Sequence, residues 1–489
     1  SVALAEPADR FALHTKSADE VVKIDSYLNP DAVIAAAKQA NCTGIHPGYG
    51  FLSENSAFIT AVQTSSLTFI GPDSKAAELA GDKIKAKDVA HSLGIPTLPY
   101  LSFTDKDLTG AEEFIEAHGL PVLVKAAGGG GGRGIRLINT ADELPEAVSS
   151  ASREAQALFK SDQLFIEKAL RQPKHIEVQI ACDQNGDAIH LLDRECSMQR
   201  RHQKIIEEGP VTTIGKTLRT QILDHATSFA EGINYLNLGT VEFLVEENAA
   251  YFLEMNSRLQ VEHPVTEAIT GLDLVELQIG IAAGKSLADL DLQPDRIQTA
   301  KTQVAIEARI CAERPEDDFT ASTGTLLNFE IGEDDSVRVD TGFTTGDRVS
   351  SVYDSLLAKV IATGKTRSEA IMVLTRALRQ SKIYGVETNC THLIATLEDE
   401  SFTAGTHHTK TKTSVAYDPV EIAELALAAE WISRSSSAAG AWQNSPGWSL
   451  TGAEHAPVKL LVNGRPTEAT LRKERIAAVP KYNFIRTRA

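Results

Sequence analysis

The chain has 489 residues, enough for several domains with large cores. Its 48 Lys and Arg against 66 Asp and Glu give a formal charge of −18, which argues against nucleic acid as a partner and means that an anionic substrate needs local clusters of Lys and Arg. The five cysteines form no Cys-x-x-Cys pair, which argues against a disulfide framework or a structural zinc site and suits a reducing compartment, and no apolar run reaches transmembrane length.

The first residues form no signal or transit peptide. Ser1–Ala5 reads as a strand entered midway, so a segment upstream is expected. Val21–Ile24 is a second strand. Asn29-Pro30 is a helix start, a cap followed by proline in the first turn, and apolar spacing continues the helix to Ala40. Thr43–Pro47 and Leu67–Gly71 read as buried strands, so the opening residues predict an α/β layer with a parallel sheet. His46-Pro-Gly-Tyr-Gly50 is a turn that either approaches a ligand or merely turns. Asp82–Leu93 is a helix whose Lys83, Lys85 and Lys87 read as a solvated face, and Pro96 and Pro99 mark a boundary.

Leu120–Ala127 is a strand that runs into Gly128-Gly-Gly-Gly-Gly132-Arg133-Gly134. Packing does not account for so many glycines, because glycine loses the most entropy on ordering. Backbone amides closing over a phosphate chain do account for them. The pattern is neither a Walker loop nor a dinucleotide fingerprint. Lys125 before it and Arg133 within it set it apart from a flexible linker.

A helix is expected from Ala141 to Lys160, then a strand Gln163–Leu170 whose apolar run is broken by Glu167, an acceptor for an adenine amine, and Lys168, a cation for ribose or phosphate. His175–Ile180 alternates as a strand, Asn185-Gly186 is a hairpin turn, and Ala188–Leu192 returns. The Arg200-Arg-His-Gln-Lys204 block is, with equal weight, a surface run or an anion pocket. Leu218–Ile233, Pro264–Ile269 and Leu274–Ala283 are helices. Thr302–Cys311 is a strand carrying Arg309, and Val352–Ala362 leads into a helix over Arg367–Gln380. Beyond residue 410 come an Ala-rich helix (423–432), a Ser/Ala/Gly-rich loop and a hairpin start at Pro457–Gly464.

The stretch from 239 to 264 carries the sharpest pattern. Glu254, Asn256, Arg258, Gln260 and Glu262 recur with period two, which in a strand places them on one face. A turn centred on Asn248 puts Glu242 directly opposite Glu254, where like charges repel unless a cation lies between them. Asn256 on the same face is a third oxygen ligand, a set suited to magnesium. An exposed hairpin with scattered acids has the same composition.

Four stretches together resemble the biotin carboxylase component of biotin-dependent acyl-CoA carboxylases, an ATP-grasp enzyme. They are His46–Asn55, the polyglycine loop, Met198–Lys204 and Glu254–Pro264, and the resemblance runs to about residue 405. It implies an α/β and α+β multidomain chain. The expected parts are an N-terminal Rossmann-like layer (1–81, its first strand and helix missing), a linker helix (82–98), an ATP-grasp lid subdomain (99–170) and an ATP-grasp core with the metal site (171–290). A C-terminal biotin carboxylase domain (291–408) and a linker with the start of a β-containing module (409–489) complete the chain.

The resemblance also implies ATP- and bicarbonate-dependent carboxylation of N1′ of biotin through carboxyphosphate. Lys83 and Lys125 would meet the ATP phosphates under a lid that includes Gly130, Gly131 and Gly132. Glu167, Lys168, Leu170, His175 and Leu244 would hold adenine and ribose, with Gln199, His202 and Lys204 near ribose and phosphates. Glu242, Glu254 and Asn256 would bind Mg²⁺ or Mn²⁺. Arg258, Gln260 and the Val261 amide would grip bicarbonate, Glu262 would deprotonate it with Lys204 assisting, Arg309 would stabilise the biotin enolate, and Tyr353 and Asp354 would line the biotin end. Ser257 and Gly209 stand where the family often has Thr and Ala.

No biotin-attachment motif is in the sequence, so the carrier domain is expected beyond it or on another chain. A carboxyltransferase β subunit is the other expected partner, in an oligomeric complex. Trp442–Leu450 and Val462–Arg465 look like the linking domain of methylcrotonoyl-type α subunits. The alternatives are a propionyl- or acetyl-CoA carboxylase α subunit, another ATP-grasp carboxylate ligase, or a scaffold that keeps the fold. The expected location is the mitochondrial matrix in a eukaryote and otherwise the cytoplasm.

Overall fold

The computed structural model describes residues 1–104, 108–126, 135–159, 163–293, 303–413 and 415, with three strands beyond residue 454. The chain divides into two compact units, Ser1–Thr413 and Ser414–Ala489.

At the N-terminus β1 (Val2–Ala5) pairs in parallel with β2 (Glu20–Lys23), and β3 (Gly44–Ile45) with β4 (Thr68–Phe69). The expected parallel layer is therefore present, as two short pairs. The helix Pro30–Gln39 starts where its cap predicts: Asn29 Oδ1 accepts from the amides of Asp31 and Ala32. It buries Val33, Ile34 and Ala37 against Val22, Phe58 and Phe69, each large apolar side chain contributing about 1.5–3 kcal/mol.

The linker helix Lys83–Ser92 is capped by Asp82, which accepts from the amides of Ile84 and Lys85. It leads to a four-stranded sheet in the order β5 (Tyr100–Thr104), β8 (Gln163–Lys168), β6 (Val122–Ala126), β7 (Arg136–Ile138). Phe114 and Ile115 of one helix and Leu144, Val148 and Ala151 of another pack on Val122, Val124 and Ile166. Glycines 128–134 lie outside the described residues.

The site stands on an eight-stranded antiparallel sheet. It begins β13 (Ala249–Asn256), β12 (Asn237–Glu246), β9 (Lys174–Cys182), β10 (Ala188–Arg200), β11 (Gln203–Gly209), β14 (Val304–Cys311). Leu356–Gly364 and Val337–Thr341 complete it. The β11–β14 pairing matters most for function, because it places Arg309 one strand away from Lys204. The helix Lys216–Gly232 covers one part through Ile222, Ala226 and Phe229, packed with Ile176, Val241 and Phe252. The helix Arg367–Gln380 covers another through Leu374 and Leu378, packed with Ile306 and Val360.

The hairpin differs from its expectation in an instructive way. Glu242 does face Glu254. The turn, however, is centred between Glu247 and Asn248, since Glu246 pairs with Ala249, and Glu247 takes a positive φ of 55°. A bulge at Leu253, between the pairs Phe243–Phe252 and Glu242–Glu254, supplies the missing residue. The strand also ends at Asn256. β13 is an edge strand, and the chain must turn to start the helix His263–Thr270, with Pro264 in its first turn. Arg258, Gln260 and Glu262 therefore lie on an irregular segment, anchored by buried Leu259.

The second unit contains an antiparallel meander, His455–Val462, Arg465–Ile476 and Val479–Ile485, so the expected hairpin is found. The Ala-rich helix, the Ser-rich loop and Trp442–Leu450 lie outside the described residues. Among the described residues no helix is long and apolar enough to cross a membrane.

Candidate active site

Lys204 is the centre. On β11 it lies across from Gln199 on β10, and its ammonium reaches Glu177 of β9, Glu242 of β12 at 2.8 Å and Glu262 at 2.7 Å. Burial opposes its charge, but Glu177, Glu242 and Glu262 outweigh burial and hold Lys204 well above the usual lysine range. Glu262, itself fully buried, spans Lys204 and Arg309, whose Nη2 donates at 2.7 Å. Burial resists ionisation of Glu262, yet Lys204, Arg309 and Arg194 keep its carboxyl well below the ordinary carboxylate range. Arg309 Nε meets Glu207 at 2.7 Å.

Glu242 also meets His175 Nε2 at 2.9 Å and accepts from Asn256 Nδ2 at 2.9 Å. Glu254 faces it in register but pairs with Lys83 at 2.7 Å. The like-charge penalty expected between the two glutamates is thus relieved by two separate lysines, so the repulsion alone does not demand a metal. The donor set still fits a hard divalent cation. Glu242, Glu254 and Asn256 offer oxygens, with Glu242 and Glu254 in register and Asn256 bonded to Glu242. Among the described residues His175, Glu177 and Glu242 bring candidate ligand atoms within 4.8 Å of one another, as do Glu177, Cys196 and Glu262, and Glu254 is in neither group.

Arg258 donates to Gln260 Oε1 at 3.0 Å and Asn256 Oδ1 at 3.3 Å, and lies 3.4 Å from Glu54. Gln260 is buried and its Nε2 has no hydrogen-bond partner among the described residues. A buried amide donor left unpaired costs about 1–3 kcal/mol, a cost that an anionic ligand beside Arg258 would remove. The Val261 carbonyl accepts from Lys359 at 3.0 Å.

Several expected groups are committed elsewhere. The Glu167 carboxylate is fully buried between Lys125 and Lys87, so it is no open acceptor for an adenine amine. Lys168 donates to the carbonyls of Gly119 and Leu120 at 3.1 and 3.0 Å, and the Leu170 carbonyl accepts from Lys410 at 2.8 Å. Leu244 is the cross-strand partner of His175, and Gln199 contacts His175 Nδ1 at 3.2 Å, so these three do meet. His202 sits exposed on the β10–β11 turn at φ 62°. The basic block is not one anion pocket. Arg200 pairs with Glu313 and exposed Arg201 with Asp318, leaving Lys204 and Gln199 at the site. Tyr353 donates to Glu6 at 2.8 Å, and Asp354, exposed, caps the Leu356 amide at 2.9 Å. Gly130, Gly131 and Gly132 lie outside the described residues. The lysines of the linker helix are not one solvated face either: Lys85 is exposed, but Lys87 is buried.

The sequence reading missed Glu177, Arg194, Glu207 and Lys87. Arg194 is fully buried, with Glu177 at 2.5 Å, Thr266 at 2.7 Å and Gln179 at 3.0 Å. The available signal was charge in apolar runs: Glu177 and Gln179 share with His175 the face of a strand that is otherwise Ile, Val and Ile.

Three family models cover the described unit in order: biotin carboxylase N-terminal domain over residues 1–77, the carbamoyl-phosphate synthase L chain ATP-binding domain over 82–290, and biotin carboxylase C-terminal domain over 307–413. The biotin carboxylase of Halalkalibacterium halodurans is 42% identical over 431 residues, 84% of this chain and 93% of that one. This chain belongs to the biotin carboxylase family. Its family is that of ATP-grasp ligases that form a C–N bond on biotin. The match extends into larger relatives. Pyruvate carboxylase of Bacillus subtilis is 40% identical over 84% of this chain, which spans 36% of that protein. The methylcrotonoyl-CoA carboxylase α subunit of Glycine max is 41% identical over 83%, which spans 56% of it. Among solved structures, the biotin carboxylase domain dimer of Hydrogenobacter thermophilus 2-oxoglutarate carboxylase, in complex with MgADP, ADP and bicarbonate, superposes with a TM-score of 0.80 at 38% identity, covering 84% of this chain and 90% of that one.

Proposed function

We propose that this chain carboxylates biotin, carried on a separate domain, using ATP and bicarbonate. The observation that carries this is the Lys204–Glu262–Arg309 chain of contacts beside the unpaired Gln260 amide and Arg258. It assembles a base, two cations and an anion cradle in one buried place. Arg258 and Gln260 hold bicarbonate with the Val261 backbone, and Glu262 takes its proton. A carboxylate held this low is a weak base, but its basicity rises as Lys204 or Arg309 turns to an incoming anion. The deprotonated oxygen attacks the γ-phosphorus, ADP leaves and carboxyphosphate forms. Carboxyphosphate then breaks at its C–O bond to carbon dioxide and phosphate, and the phosphate takes the N1′ proton of biotin. Arg309 faces the negative charge that this deprotonation leaves on the ureido oxygen, and N1′ attacks the carbon to form the C–N bond. Tyr353 and Asp354 border the biotin end.

Lys83 and Lys125 serve the phosphates, together with Gly130, Gly131 and Gly132. His175, Gln199 and Leu244 border the nucleotide, with Lys168, Leu170 and His202 around it, while Glu167 serves only as the buried counter-ion of Lys125 and Lys87. Glu242, Glu254 and Asn256 would hold Mg²⁺ or Mn²⁺, which when bound neutralises phosphate charge.

The partners follow from the chemistry: a biotin carboxyl carrier domain and a carboxyltransferase in an oligomeric complex. The acceptor proposed from the tail is 3-methylcrotonoyl-CoA. The pyruvate carboxylase and methylcrotonoyl relatives match at 40% and 41%, so only transfer assays with each acceptor decide between them. The five cysteines are free, in keeping with the reducing matrix or cytoplasm proposed as its location. The test is ATP hydrolysis by the folded protein: dependence on bicarbonate and stimulation by free biotin are expected, and hydrolysis indifferent to both overturns the proposal.

A further inference from the structure

Lys87 belongs to none of the roles above, yet it is among the most buried large side chains described, 1% exposed. Its ammonium lies 2.5 Å from Glu167 Oε1 and 3.4 Å from the Phe252 carbonyl, beneath the Tyr100 ring at 5.7 Å. The other Glu167 oxygen takes Lys125. A buried lysine is costly, and a buried carboxylate needs only one cation to be neutralised. Two lysines on one fully buried carboxylate leave the cluster with a net charge of +1.

We propose that Lys87 is a positioning residue for nucleotide binding: it occupies the Glu167 carboxylate so that Lys125 presents uncancelled positive charge to the phosphates. The inference rests on the nucleotide reading of the site. Lys125 stands on β6 three residues before the glycine run, where a phosphate-facing cation is needed. Paired with Glu167 alone, Lys125 would bring no net charge. With Lys87 the Lys125–Glu167–Lys87 group carries one surplus charge. Lys87 is buried away from the surface and touches no ligand itself. Burial resists the Glu167 charge, but Lys125 and then Lys87 overcome it and hold that carboxyl at about 2, so it stays ionised throughout.

The experiment is calorimetric binding of ADP to the full chain, which needs no carboxylation. Lys87→Met makes the group neutral and is expected to weaken ADP by roughly ten- to a hundredfold, the value of about one charge-assisted hydrogen bond. Lys87→Arg keeps the charge and retains affinity. The decisive variant is Lys87→Met with Glu167→Gln, which restores +1 and is expected to recover binding to within about threefold of the parent. A purely structural Lys87 predicts instead that the second substitution adds damage. A double variant that is folded by circular dichroism and binds as weakly as Lys87→Met overturns the proposal. Should Lys87→Met not fold, the double variant and Lys87→Arg are compared with the parent, and more than tenfold loss in the double variant overturns it. If the parent itself binds no ADP, the nucleotide reading fails and this inference with it. Unchanged binding in Lys87→Met defeats only the inference.

Discussion

Replacing Glu262 by Gln keeps shape and removes charge. Its structural cost is bounded by what its partners retain: Lys204 keeps Glu177 and Glu242, and Arg309 keeps Glu207. Breaking a buried ion pair costs about 3–5 kcal/mol when a charge is stranded. Here none is, so a loss of about 1–3 kcal/mol is expected, visible as a lowered Tm with folding preserved. The catalytic cost is larger. A positioned general base is worth roughly 10²–10⁴-fold, or about 3–5 kcal/mol of barrier. Steady-state biotin carboxylation should therefore show kcat reduced by at least about a hundredfold, with the ATP KM within about threefold of the parent. A folded variant that keeps more than a tenth of the parent kcat would refute Glu262 as the base. A variant that loses ATP affinity instead would make Glu262 a structural counter-ion of Lys204.

Other outcomes follow from the same geometry. Gln260→Leu removes the unpaired buried amide and should raise the bicarbonate KM by roughly tenfold while Tm holds or rises; an unchanged KM removes Gln260 from the anion cradle. Arg194→Met strands the buried Glu177 carboxylate beside Lys204 alone and should cost about 3–5 kcal/mol in denaturant unfolding; a loss below about 1 kcal/mol counts against the buried network as a stability element. Glu307 faces Glu207 across β14 and β11, both fully buried, and neither oxygen of Glu307 has a hydrogen-bond partner among the described residues. Burial, reinforced by Glu207 and Glu262 and opposed by Lys359 and Arg309, holds Glu307 well above the ordinary range. Burial likewise pushes Glu207 up to about 7, against Arg309 and Lys204. The folded pair binds protons that the unfolded chain releases above 4.5, so its stability is full below that pH and falls as pH rises through about 7. Glu307→Gln should thus gain Tm over the parent progressively from about pH 5 to pH 8, and a pH-independent difference would contradict a shared proton.

The elements were largely legible in the sequence because their signals are local. Asn29-Pro30 and Asn185-Gly186 act within a few residues, and the alternation of β12 and β13 reports their faces directly. The pairing of Glu242 with Glu254 came out right although the turn centre did not, because a bulge at Leu253 compensates a shorter turn. The extent of β13 was not legible: alternation continues to Glu262, but an edge strand loses its pairing partner and the chain must turn. Long-range charge pairing was also hidden. Nothing near position 87 announces Glu167, 80 residues on by number, nor does Arg200 announce Glu313. A Lys on a helix reads as solvated unless its partner across the fold is known.

The most direct test of the central claim is transfer of labelled carbon from bicarbonate to free biotin by this chain with ATP and Mg²⁺. Labelled carboxybiotin, formed in step with ADP and at a rate reduced at least about a hundredfold in Glu262→Gln, is the predicted result. Folded protein that binds ADP yet yields no labelled biotin under these conditions would contradict it.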